Sequence, residues 1–346
     1  MASAYEFTKA QWADHLVDEP AYRVDQLWHG LWVETERLED ITTMPATLRR
    51  RLAAEFAPSL EVVHDVQSDR GATRKWVFRL DDGATIETVL MGYADRVTVC
   101  VSSQAGCAMG CSFCATGQAG FTRQLRVGEV LEQVMFAARA AAPRRLSNVV
   151  FMGMGEPLAN YQVTVDALRR LHEDRALSAR HLTVSTVGVA PAIERLAREG
   201  LALTLAVSLH AANNAARDEL IPLNRRYPLE RLHRACVTWT ATTSRRLSFE
   251  WALIDGVNDT DEAIDELAEY AGSLRAHVNL IPLNPTPGYL VRGSSPERVV
   301  AFRDGLEALG VNVTVRNTRG RSIDAACGQL ASVTNGRRRS IQVRSA

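Results

Sequence analysis

The stretch Val97-Thr-Val-Cys100-Val-Ser-Ser-Gln-Ala-Gly-Cys107-Ala-Met-Gly-Cys111-Ser-Phe-Cys114 decides how the rest of the chain is read. It begins as a short β-rich run, 97–101, and passes directly into a loop that holds three cysteines. Downstream the same order recurs. Apolar, β-branched runs at 148–152, 182–185, 203–208, 247–253, 277–281 and 312–315 alternate with helical patterns, among them 127–140, 161–172, 261–272 and 297–309. Strands separated by helices argue for parallel pairing through crossover connections, an α/β fold of barrel type.

The chemically unusual residues collect just past these strands. The second strand runs into Gly153-Met-Gly155-Glu156-Pro157, the third ends at Ser185-Thr-Val-Gly188, the fourth at Ser208-Leu209-His210, and a later one at Asn284-Pro285. In β/α barrels the C-terminal strand ends build the active site. Separate segments are therefore expected to converge on one mouth.

Upstream, residues 1 to about 60 read as short helices. Tyr22, Leu27, Leu31 and Trp32 fall near helical spacing after Pro20, and Leu48, Leu52 and Phe56 share a face after Pro45. Trp76 to Leu80 and Thr85 to Leu90, joined through Asp82-Gly83, form a hairpin signal. The expected organisation is a helical accessory module over 1–70, a hairpin region over 71–96, the barrel over 97–330 and a basic tail over 331–346.

Composition excludes several classes. The 346 residues include 40 Lys+Arg and 40 Asp+Glu, so net charge gives no support for a nucleic-acid partner and any such footprint is local. Two patches qualify, Arg49-Arg50-Arg51 and the C-terminal Arg337, Arg338, Arg339 and Arg344; each taken alone reads sooner as solvated helix or tail charge. No run of about 18 apolar residues occurs, and the N-terminus lacks a signal-peptide layout. No membrane association is expected, and the chain is expected in the cytoplasm. In that compartment the six cysteines favour metal ligation or reactive thiols over structural disulfides.

Cys107, Cys111 and Cys114 are soft ligands suited to iron–sulfur clusters or zinc. Structural zinc requires four ligands, and no fourth Cys or His lies beside the motif. Three thiolates on a four-iron cubane leave one iron open for chemistry. The Cys-x3-Cys-x2-Cys spacing, with Phe113 before the last cysteine, resembles the radical S-adenosylmethionine superfamily. That resemblance implies a partial (β/α)6-type barrel and a [4Fe-4S] cluster held by the three cysteines. It also implies S-adenosylmethionine chelated at the open iron and cleaved to a 5′-deoxyadenosyl radical.

The resemblance narrows. Cys100 through Cys114-Ala-Thr-Gly, Gly153-Met-Gly-Glu-Pro-Leu158, Ser208-Leu-His210 and Asp324-Ala-Ala-Cys327-Gly-Gln-Leu330 together resemble the RlmN/Cfr family of RNA adenine methyltransferases, in order, from about Tyr22 to Leu330. In that family the target is a non-nucleophilic ring carbon, so methyl transfer passes through a protein cysteine and consumes two S-adenosylmethionine molecules per turnover. Carried over, the resemblance makes Cys327 the methyl-bearing cysteine and Cys100 the resolving thiol that ends in a disulfide with it. Glu87 becomes the proton acceptor, with a solvent-facing strand carboxylate as its alternative reading. Gly155, Glu156, Ser185, Ser208, Leu209, His210 and Asn284 become the cofactor contacts. Cys236, in a helical stretch, reads as a buried apolar residue.

Pro157 and Arg316-Asn-Thr-Arg319-Gly320 look more like the carbon-two (RlmN) branch than the carbon-eight (Cfr) branch. The branch implies 23S ribosomal RNA and transfer RNA as substrates, with the 1–70 module and the arginine patches as the RNA contacts, a flavodoxin or ferredoxin system as electron donor, and a monomer. A radical activase acting on a protein would share the three-cysteine loop but has no need for Cys100 and Cys327.

Overall fold

The computed structural model describes residues 3–330 except Arg246, Pro285, 287–290, 317–319, Arg321, Ser322, Ala326 and Cys327. Cys327 and the basic tail therefore lie outside the described residues.

The chain opens with α1 (Lys9–His15), α2 (Tyr22–His29) and α3 (Ala46–Glu55). Leu27, Leu48 and Leu52, on the faces the periodicity marked, are buried together with Trp12, whereas Tyr22, marked with them, is exposed. Their apolar residues are continuous with the barrel core, in one cluster that runs on to Leu330.

Strands β1 (Glu61–Ser68), β2 (Thr73–Arg79) and β3 (Thr85–Gly92) form an antiparallel meander, and β4 (Val97–Cys100) pairs antiparallel with β3. β1 corrects the sequence reading, which left 61–68 among the helices. It is an edge strand with most residues exposed on both faces, so it shows no two-residue hydrophobic alternation.

After β4 come the small ribbon β5 (Gln104–Gly106) and β6 (Phe121–Gln124), enclosing α4 (Ala115–Ala119), and then α5 (Val127–Ala141). The barrel continues through β7 (Asn148–Phe151), α6 (Tyr161–Glu173), β8 (Leu182–Thr186), α7 (Ala190–Leu196) and β9 (Thr204–Ser208). It then runs through α8 (Asn214–Leu220), α9 (Leu229–Thr243), β10 (Leu247–Leu253), α10 (Asp261–Ser273), β11 (His277–Pro282), α11 (Pro296–Ala308) and β12 (Asn312–Val315).

All ten long strands form one sheet in the order β1-β2-β3-β4-β7-β8-β9-β10-β11-β12, and the pairs from β4 onward are parallel. Six strand–helix units thus end on a seventh parallel strand, an open version of the expected barrel. The strand ranges agree with the sequence reading to within a residue, because β-branched runs between polar turns leave little choice of register.

Past β12 the chain turns back to the other end of the sheet. Gly320 N donates to Asp69 Oδ2 at 3.1 Å, and Lys75 Nζ on β2 donates to the Asp324 carbonyl at 3.1 Å. Farther on, the Gly328 carbonyl accepts from Ala115 N at 2.8 Å, and the Leu330 carbonyl accepts from the Thr116 hydroxyl. The described residues of this last segment therefore touch β2, the turn before it and α4.

Candidate active site

The loop after β4 is shaped by two glycines. Gly106 has φ +77°, and a Cβ there would lie 2.1 Å from the Gly120 carbonyl oxygen. Its absence lets that carbonyl accept from Cys107 N at 2.8 Å, which closes the loop at its base. Cys114 N bonds to the Cys111 carbonyl at 3.2 Å, and α4 starts at Ala115. Cys107, Cys111 and Cys114 line one cavity at the C-terminal mouth of the barrel. Burial pushes the Cys107 thiol up to about 12 and the Cys111 thiol well above its ordinary value, and each is raised further by its cysteine neighbours. Three thiols so close together, in a wall largely shielded from water, suit a cationic cluster that holds them as thiolates. Among the described residues no three acidic, His or Cys side chains are already closed around one point; the trio is gathered on one wall.

Across the cavity lie Gly155 and Glu156. A Cβ on Gly153 would sit 2.6 Å from the Val101 carbonyl oxygen, and one on Gly155, at φ +97°, would sit 2.5 Å from Gln104 Cβ. Only glycines let this loop lie against the cysteine-bearing segment. Glu156 is buried. Its carboxylate accepts from Leu158 N at 2.9 Å and Val187 N at 2.8 Å, and its own N–H bonds to Gln104 Oε1 at 2.8 Å. Burial raises the carboxyl to about 7, against those two N–H donors, which lower it. Glu156 thus clamps the loops after β7 and β8 to each other while lining the cavity.

Ser185, Ser208, His210 and Asn284 line the same cavity. His210 adopts φ +57°, an uncommon conformation for a side-chain-bearing residue. Its Nδ1 accepts from Ala252 N at 2.8 Å, so the neutral ring carries its proton on Nε2. Burial, with the nearby Arg217, holds it down to about 3. Leu209 departs from the rest. Its side chain is packed into the core and does not line the cavity, and only its backbone serves the strand end, accepting from Arg217 Nε at 3.1 Å.

Cys100 and Glu87 stand beside the cavity rather than in its wall. Cys100 pairs with Val89 on β3 and Val150 on β7, and Lys75 on β2 pairs with Val89. Glu87 is two residues from Val89. Directly paired and alternate residues share a face, so Lys75, Glu87 and Cys100 occupy one face of the sheet. Glu87 is buried, not solvent-facing, and its carboxylate lies 3.1 Å from Lys75 Nζ.

Several residues escaped the sequence reading. Arg217 is buried and donates to the carbonyls of Val187 and Leu209, tying the ends of β8 and β9. Asn160 Nδ2 bonds the carbonyls of Ser103 and Leu125. Glu250 and Arg316 line the cavity from β10 and past β12. A buried arginine and a buried glutamate look like surface charge in sequence, and only the sheet order brings them inward.

The Radical SAM superfamily model matches residues 101–271. The probable dual-specificity RNA methyltransferase RlmN of Parafrankia sp. (strain EAN1pec) is 52% identical over 333 residues, covering 90% of this chain and 86% of that protein. Its namesake in Salinispora tropica is 50% identical over 329 residues, covering 91% and 88%. The crystal structure of a radical SAM methyltransferase from Sphaerobacter thermophilus superposes with a TM-score of 0.92 at 49% identity, covering 95% of this chain and 99% of that one.

Proposed function

The chain belongs to the RlmN family of radical S-adenosylmethionine RNA methyltransferases, and from that membership we propose that it methylates carbon two of an adenosine in 23S ribosomal RNA and in transfer RNA through Cys327. It is a transferase that uses a [4Fe-4S] cluster and S-adenosylmethionine. Cys107, Cys111 and Cys114 hold the cluster, with Gly155, Glu156, Ser185, Ser208, His210 and Asn284 around the nucleotide. Bound there, the two cofactors supply the methyl group and the hydrogen-abstracting radical.

The chain's own residues do the rest. Cys327 carries the methyl carbon to the adenine. Glu87 accepts the proton lost from the ring carbon. Cys100 sulfur then attacks Cys327 sulfur, and the carbon–sulfur bond breaks with its electron pair passing to the methyl carbon, which takes a proton. A Cys100–Cys327 disulfide remains.

The observation that carries this reading is the course of the 324–330 segment. It is bonded at Asp324 to the cation that faces Glu87, and at Gly328 to the residue after Cys114. Both anchors flank Cys327. A protein-modifying activase has no use for such a segment. We place the protein in the cytoplasm as a monomer, reduced by a flavodoxin or ferredoxin. No helix among the described residues is long and apolar enough to cross a membrane.

The test is peptide mass spectrometry of the cluster-loaded protein together with mapping of the modified base in RNA from a deletion strain. A methyl group on Cys327 and loss of 2-methyladenosine are expected. An invariably unmodified Cys327 sinks the two-thiol route, and loss of a carbon-eight methyl instead sinks the choice of ring position.

A further inference from the structure

A packed β/α barrel fills its interior with bulky branched side chains. This one does not. Near the N-terminal ends of the parallel strands, Thr98, Asn148, Thr183, Thr204, Ser248 and Asn279, each from a different strand, line a groove on the inner face, with Thr314 at its far edge. The groove shares Met152, Glu250 and Arg316 with the cavity that holds the cysteines. It is therefore a polar way in from the side opposite the cluster loop.

The turns that lead into these strands carry a second pattern. Arg144 and Arg145 precede β7, Arg180 precedes β8, Arg245 precedes β10 and Arg275 precedes β11, and no acidic residue lies in 142–147, 178–181, 244–246 or 274–276; the turns before β4 and β9 hold one carboxylate each, Asp95 and Glu199, paired with Arg96 and Arg169. Elsewhere many arginines are matched to carboxylates, as in Arg74–Asp65, Arg123–Glu129, Arg169–Glu199 and Arg231–Glu194. Arg145, Arg180 and Arg275 are exposed and their side chains make no hydrogen bond or ion pair among the described residues. Arg144 and Arg245 donate only to backbone carbonyls. At the groove mouth Arg96 lies 4.2 Å over the ring of Tyr93. By contrast, within the Arg49-Arg50-Arg51 patch, Arg51 faces Glu19 at 3.5 Å and Arg49 bonds the Glu39 carbonyl at 2.7 Å.

We propose that this arginine-bearing N-terminal rim is the surface that grips the substrate, and that a single-stranded RNA loop enters the barrel through the polar groove. The proposal rests on the RNA-methylating reading above and adds where the RNA lies. Unpaired cations fit phosphates, and the energy of such contacts is sequence-independent. A ladder of hydroxyl and amide groups offers donors and acceptors to splayed bases and 2′-hydroxyls, and Tyr93 offers a stacking face. A duplex keeps its base edges stacked inside and has nothing to insert. The neutral net charge of the chain is then no obstacle, because unpaired arginines are gathered at this rim.

The test measures binding of a stem-loop RNA carrying the target adenine to the cluster-loaded full chain, over a range of salt. Arg145→Glu, Arg180→Glu and Arg275→Glu are combined in one variant, with the Arg→Gln triple as a milder version and thermal melting as the check on folding. The expected result is binding weakened at least tenfold. The slope of log affinity on log salt should become shallower by about 2, since each lost single-strand phosphate contact is worth about 0.7. The Arg→Gln triple should fall between. The comparison variant carries Arg49→Glu, Arg50→Glu and Arg51→Glu and should lose less. Rim variants that fold and bind like the wild type overturn the proposal, as does a loss confined to the comparison variant. If the wild-type chain binds no RNA, the RNA reading itself fails, a distinct result that removes the proposal with it.

Discussion

Lys75 Nζ lies 3.1 Å from the carboxylate of Glu87 and 3.1 Å from the carbonyl oxygen of Asp324, so one buried cation joins the proposed base to the segment that carries the proposed methyl donor. Removing one partner of a buried ion pair strands the other charge. Lys75→Met should therefore cost about 3 kcal/mol of unfolding free energy, read by denaturant titration, and abolish RNA methylation. Lys75→Arg should recover most of both. Full activity in Lys75→Met would show that Glu87 works without its cation.

Glu156 sets a pH signature in the metal-free protein. Its carboxyl is raised by burial from 4.5 to about 7. The folded state therefore keeps a proton that the unfolded chain has released, so this group's contribution is full below pH 4.5, declines between 4.5 and 7, and is gone above. His210 acts oppositely. Held down to about 3, it leaves stability intact above 6.5 and removes it as the pH falls toward 3. In Glu156→Gln the first contribution vanishes. Relative to pH 8, the variant should be less stable at pH 5 than the wild type by on the order of 2 kcal/mol. Parallel pH curves for the two proteins would contradict the assignment.

His210 should not titrate in the working range. Nitrogen-15 spectra should show a neutral ring protonated on Nε2 from pH 5 to 8, since Nδ1 accepts from Ala252 N. A midpoint near 6.5 would mean that the ring is not buried as described.

Gly106 and Gly120 separate two effects of a glycine. Both have positive φ, but a Cβ on Gly106 meets the Gly120 carbonyl at 2.1 Å whereas one on Gly120 meets nothing within 4 Å. Gly106→Ala should reconstitute with well under half the wild-type iron, while Gly120→Ala, at φ +83° and ψ −173°, carries backbone strain of about 1–3 kcal/mol without a clash and should load clearly more iron than Gly106→Ala. Equal iron in both would remove the loop-closure argument.

Cys107→Ala, Cys111→Ala and Cys114→Ala should each lose the cluster's visible absorption. Cys236 is fully buried in the core on α9, so Cys236→Ala should retain it. Loss of the cluster in the last variant would redraw the ligand set.

The parallel strands and the convergence of their ends could be read from local patterns, because a buried strand between polar turns is a local signal. Edge strand β1 could not, since Val62 and Val66 are among the exposed apolar residues and no buried face marks it. For Glu87 the sequence left a surface carboxylate as the alternative reading, and only the pairing of β2 with β3 brings Lys75 to face it. The rim arginines are spread from Arg96 to Arg275, and only the strand order gathers them at one end. Leu209 differs from its neighbours on both sides, which face the cavity: strand-end alternation turns its side chain into the core and leaves only its backbone at the strand end.

The return of the chain past β12 has a consequence for synthesis. Thr116 and Leu330, which meet at the closing contact, are 214 residues apart. As the chain emerges N-terminal end first, the cysteine loop and nearly all of the barrel precede the segment that completes the chamber. A polypeptide halted a few residues before position 327 would own every proposed ligand for the cluster and nothing on which to place a methyl group. On the proposed route, the radical-generating half of the catalyst is made first, and the residue that gives it a purpose follows only after the barrel.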